Sequence, residues 1–151
     1  MCAGSNPAGG AKLLAEADRL LTTVVPGTRG RWPRSCAWLT RLALEQALDE
    51  YWTRTLPEAV NCGVRPQLLL PPQYASASTA GLAAEAWFGI ARATHHHAYD
   101  LAPTAVELRR WHDLVRTVIA QLAVTDQKVD AAQINGAGLS VWTTGRLTLR
   151  T

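Results

Sequence analysis

Hydrophobic positions recur at helical spacing in four stretches of the chain, each bounded by residues that start or stop helices. In the first, Leu13, Leu14, Ala17, Leu20, Leu21 and Val24 share one face from Ala11 onward, and the pattern stops before Pro26-Gly27. The second runs from Ser35, read as its N-cap, to Arg54. Trp38, Leu39, Leu42, Leu48, Tyr51 and Trp52, with Ala43 and Ala47, make a broad apolar stripe there, so Trp38 and Trp52 are expected as core anchors. The third opens near Thr79, behind a cap region at Ser76–Ser78, and turns Leu82, Ala83, Trp87, Ile90, Ala91 and Thr94 inward. The fourth begins at Thr104 and Glu107, which have the spacing of a capping box, and runs to about Ala123 with Val106, Trp111, Leu114, Val118 and Leu122 inward.

The connections are short. Gly27–Pro33 reads as a loop, and Arg29, Arg31 and Arg34 around it form a basic cluster read as solvated. Pro57–Gly63 turns the chain, and Gln67–Leu70 is an apolar piece of one or two turns between prolines. Residues 1–10 are small and expected to be flexible. Residues 125–138 are polar and punctuated by glycine. Beyond them Leu139–Thr143 and Arg146–Leu149 alternate like strands around Thr144-Gly145. This tail, 125–151, is either a short C-terminal β-hairpin packed on the rest or disordered, because an isolated hairpin is marginal in water. The expected fold is all-α: an antiparallel up-and-down bundle of four to five helices over residues 11–124.

Composition supports one folded domain. The chain has 151 residues, 48% hydrophobic, with six tryptophans, and a domain of that size buries about 70% of the surface its unfolded chain exposes. A net charge of +3, not gathered into a tail, permits nucleic-acid binding without arguing for it. Cys2, Cys36 and Cys62 are an odd number with no C-x-x-C pair, so they read as free thiols in a reducing compartment. The first ten residues lack the charged start and apolar run of a secretory signal, and no window approaches a membrane-spanning length. The expectation is a cytoplasmic protein that does not enter membranes.

The candidate chemistry lies in Arg92-Ala-Thr-His-His-His97-Ala-Tyr99, which holds three of the four histidines. Adjacent helical residues point about 100° apart, so His95, His96 and His97 do not converge on one ion, and no ligand type sits four residues before His96 or His97. No metal and no cofactor is expected. An arginine beside a histidine suits phosphodiester chemistry instead. The imidazole titrates near neutrality and can move a proton, while the guanidinium keeps its charge and matches phosphate geometry.

Arg92-x4-His97-x-Tyr99 resembles the motif of the HEPN superfamily of helical-bundle proteins, whose ribonuclease toxins carry Arg-x4–6-His, often extended as His-x-Tyr, near the end of a late helix. The surroundings agree: Trp87-Phe-Gly-Ile-Ala-Arg92 precedes the motif, and Asp100-Leu-Ala-Pro-Thr104 leads into the last long helix. The likeness follows helix order over residues 11–123 and is detailed only around the motif. Members commonly carry Asn, Asp or His directly after the arginine, where this chain has Ala93. The resemblance implies a metal-independent endoribonuclease acting on RNA as a homodimer in toxin–antitoxin or defence systems, with an antitoxin or other protein as partner. It assigns His97 as acid/base, Arg92 as transition-state stabiliser and Tyr99 as an orienting group. Regular helix geometry favours His96, because Arg92, His96 and Tyr99 at i, i+4 and i+7 share a face while His97 lies about 140° from Arg92. Both histidines therefore stand as candidates. Two other readings stay open: a catalytically inactive module of the same kind binding RNA, nucleotide or protein, and a helical interaction protein using Trp142. His112 reads as a surface histidine.

Overall fold

A computed structural model describes the backbone of residues 9–23, 27, 30–69, 76–94 and 101–139, with side chains in the last helix as far as Thr125. Four long helices, α1 (Gly9–Thr22), α2 (Trp32–Thr55), α4 (Ala77–Thr94) and α5 (Ala105–Leu139), pack together. A 3-10 turn (Pro57–Asn61) and the short α3 (Val64–Leu69) join α2 to α4. No strand occurs among the described residues.

Contacts fix the directions of the helices. Gly10 lies on Ala43 and Ala47, and Cys36 Sγ lies 3.6 Å from the Ala17 carbonyl, so α1 and α2 are antiparallel. Arg41 reaches Thr94 near one end of α2 while Trp52 and Ala83 share an apolar hollow near the other, which makes α2 and α4 antiparallel. Thr79 donates to Gln121 (2.7 Å) and Gly89 faces Trp111, which makes α4 and α5 antiparallel. The result is the expected up-and-down bundle. Gly10 permits a close crossing, since a Cβ there would stand a tight 3.0 Å from the Ala43 carbonyl oxygen.

The main core joins Leu44, Leu48, Tyr51, Trp52, Trp87, Ile90, Val115, Val118 and Leu122 from α2, α4 and α5. A smaller cluster of Ala17, Cys36, Ala37 and Leu108 closes the other end. Burial pushes the Cys36 thiol up to about 11, so it is inert as a nucleophile at neutral pH. At the linker, the buried Gln67 amide donates to the carbonyls of Ala59 (3.2 Å) and Cys62 (3.1 Å), which ties the turn to α3.

Several expectations need correction. α2 starts at Trp32, with Pro33 in its first turn, and the Ser35 amide already bonds back to the Arg31 carbonyl. Proline presets helical φ and has no N–H to leave unpaired, so it begins the helix that Ser35 was expected to cap. Trp38 and Leu42 are 47% and 41% exposed, because α2 meets α1 through the smaller Cys36, Thr40, Ala43 and Ala47. Val106 is 75% exposed, while Leu108, His112 and Val115 take the inward face of α5. That helix does not stop near Ala123 but continues to Leu139. No proline interrupts 124–139, and Gly136 and Gly138 each cost only about 1 kcal/mol relative to alanine, which lowers helix stability without ending it. Leu139, assigned to a strand, is helical; the rest of the hairpin segment, 140–151, and residues 1–8 lie outside the described residues.

Candidate functional site

The last turn of α4 is held in place from α2. The Arg41 guanidinium lies 4.6 Å from the Trp87 ring centroid and 5.3 Å from that of Trp38, bonds Glu45 (2.8 Å) and donates to Thr94 Oγ1 (3.1 Å). Thr94 Oγ1 in turn donates to the carbonyl of Ile90 (3.0 Å). Stacking and two charge-assisted bonds thus anchor the helix end from which the histidine segment departs.

On the far side of that segment, the capping box forms as its spacing predicts. Thr104 N donates to Glu107 Oε2 (2.8 Å), and Glu107 N donates to Thr104 Oγ1 (3.2 Å). The hydrogen bonds from Thr104, with a smaller contribution from the positive field of Arg92, hold the Glu107 carboxyl below its ordinary value. It is ionised at neutral pH and unsuited to general acid work.

Between these two anchors runs an open groove of about 1080 Å³ lined by α4, α5 and the start of α2. Arg34 and Arg92 supply its positive charge, Glu107 its negative charge, and Phe88, Leu101 and Trp111 its apolar surface. Gly89 makes room for this arrangement: a Cβ there would run into the indole nitrogen of Trp111. Arg92 is exposed and forms no ion pair among the described residues, whereas Arg19, Arg41, Arg110 and Arg116 each do. The Arg92 guanidinium on this groove can grip a phosphate and leave the adjoining apolar wall for a sugar or base.

Of the residues singled out by sequence, Arg92 is at this groove. His96, His97 and Tyr99 lie outside the described residues, in the stretch 95–100 between Thr94 and Leu101. Ala93, the position after the arginine, is half-buried: it packs on the Cys36–Leu108 cluster and also lines the groove. Arg34, read as solvated, and Trp111, read as core, both line the groove. Phe88 was not singled out, although its place one turn before Arg92 puts it on the same helix face. His112 is not a surface residue: it is 3% exposed and bonded between α1 and α5. Among the described residues no three His, Cys, Asp or Glu side chains group as metal ligands, and no helix is long and apolar enough to cross a membrane.

A scan of protein-family models finds none that matches the chain, and neither the curated proteins nor the solved structures searched contain a match.

Proposed function

We propose that this end of the bundle is an RNA-cleaving centre of the HEPN kind, independent of metal and working as a homodimer, with toxin–antitoxin or defence biology as its setting. The observation that carries this reading is Arg92. Its guanidinium is exposed, outside any ion pair among the described residues, on a groove that also presents Arg34, and the histidine segment begins three residues later.

In the proposed reaction His97 or His96 takes the proton of a ribose 2′-hydroxyl. The freed oxygen attacks the adjacent phosphorus, the bond from phosphorus to the 5′-oxygen breaks, and that oxygen leaves as a hydroxyl with the proton returned by an imidazolium. Arg92 stabilises the charge that gathers on the phosphoryl oxygens. Tyr99 orients the imidazole or the phosphate. The products are a 2′,3′-cyclic phosphate and a 5′-hydroxyl. In a dimer, Arg92 of one protomer can serve the histidine of the other, which removes the angular conflict between Arg92 and His97.

The packing of Ala93 favours a second reading. With an apolar, half-buried residue where a polar group would orient the site, the same groove serves a non-cleaving module that binds RNA, nucleotide or protein.

Incubation with a labelled RNA in excess chelator separates the two. Cleavage is expected to leave a cyclic phosphate, to fail on a substrate with a 2′-deoxy sugar at the scissile position, and to fall by about 10²-fold or more in Arg92→Ala and His97→Ala. Equal cutting of the deoxy substrate rejects the mechanism. RNA that is bound but left intact, with no change in His97→Ala, selects the second reading.

A further inference from the structure

One turn before Arg92 on α4 stands Phe88, 56% exposed. The i, i+4 spacing sets the two side chains on one face. Both line the groove toward α5, and both also line a second hollow of about 390 Å³ beside Arg41 and Arg65, so they form the ridge between two depressions. From α3, the Arg65 guanidinium comes to 5.8 Å from the Phe88 ring centroid. The ridge therefore runs cation, aromatic, cation.

The three side chains share a chemical requirement. Arg65 and Arg92 are exposed and form no ion pair among the described residues, unlike Arg41, which stacks on rings but is already bound to Glu45. A purely apolar partner covering the ridge would desolvate two guanidiniums that no ion pair among the described residues neutralises. A carboxylate would answer the charges and leave the ring unused. An unpaired nucleic-acid strand answers both, since its phosphates meet guanidiniums and its bases offer π-faces to an aromatic ring. In a duplex those faces are hidden in the stack.

We propose that the Phe88–Arg92 ridge holds an unpaired RNA strand, with one base stacked on Phe88 and the flanking phosphates on Arg65 and Arg92. This rests on the reading that RNA comes to this end of the bundle. It adds the strandedness of the substrate, Phe88 as the base platform and Arg65 as a second phosphate contact.

Fluorescence anisotropy tests the proposal on the full chain with a short labelled 2′-O-methyl oligoadenylate, which has no free 2′-hydroxyl to attack, and with its blunt duplex. Phe88→Ala is expected to weaken single-strand binding by roughly tenfold, the scale of one base–aromatic stack. Phe88→Tyr should restore it, and the weaker duplex binding should not change. Arg65→Ala should lower the slope of log affinity against log salt by about 0.7, the value of one phosphate on a single strand. Both side chains are exposed, so the variants should melt with the wild type. Unchanged single-strand binding in Phe88→Ala, or a duplex bound as tightly as the single strand, overturns the proposal. Cleavage distinguishes its failure from that of the nuclease reading. A protein that cuts RNA equally well with and without Phe88 loses the ridge and keeps the nuclease; one that binds through Phe88 without cutting keeps the ridge and loses the nuclease.

Discussion

His112 Nε2 lies 3.1 Å from the carbonyl oxygen of Leu14, and this buried bond ties α5 to α1. A carbonyl can only accept and a guanidinium can only donate. Nε2 therefore carries the proton, and Nδ1 accepts from Arg116 Nη2 at 3.0 Å. Arg116 is itself held by Asp113 at 3.1 Å. Both ring nitrogens are satisfied in this arrangement. His112→Ala should lower unfolding free energy by roughly 1–3 kcal/mol, the scale of a lost buried hydrogen bond with its packing. Urea denaturation reads this as a lower midpoint; an unchanged midpoint means that the bond does not stabilise the bundle.

Two glycines on α4 make an internal control. A Cβ at Gly81 meets nothing within 4 Å, so Gly81→Ala should stabilise by about 0.5–1 kcal/mol through helix propensity alone. At Gly89 the same gain is opposed by collision with Trp111, and overpacking should leave Gly89→Ala less stable than wild type by about 1–3 kcal/mol. Thermal melts of the pair should move in opposite directions. A stabilised Gly89→Ala means that Trp111 can swing aside and that the groove is not held by this contact.

The capping box makes a prediction for pH. The carboxyl of Glu107 is lowered in the folded state, chiefly by the hydrogen bonds from Thr104. A depressed carboxylate contributes stability that is complete above its ordinary value of 4.5 and is lost as pH falls through the lower folded-state value. Glu107→Gln keeps a side-chain acceptor but not the charge. It should melt below wild type at neutral pH, and the gap should close as pH falls below 4.5. A gap that is constant across this range would falsify the ionic part of the cap.

Residue patterns made some of this structure legible and misread other parts. Thr104 and Glu107 carry a local signal, two side chains reaching each other's amides, and they form the predicted cap. The stripe of α4 was readable for a similar reason, since Ala83, Trp87 and Ile90 face one continuous core. α2 was harder because it touches α1, α4 and α5. Its buried face includes Ala37, Thr40, Ala43 and Ala47, so the large residue Trp38 is a poor guide to what lies inside. His112 could have been found: Leu108, His112, Val115, Ile119 and Leu122 keep a helical stripe in which the polar residue interrupts only the chemistry. Arg92 announced itself through a motif. Arg34, Arg65 and Trp111 did not, because only the fold brings three further elements to that end of α4.

The 35 residues of α5 extend over about 52 Å at helical rise, whereas antiparallel α4 has 18 residues. The Thr79–Gln121 bond sits near the start of α4, so by Thr125 that partner has ended. A solitary helix must nucleate, and nucleation is its unfavourable step; extending an existing helix adds one bond per residue. The bundle thus acts as the seed from which the last turns of α5 grow, and their order is inherited rather than self-generated.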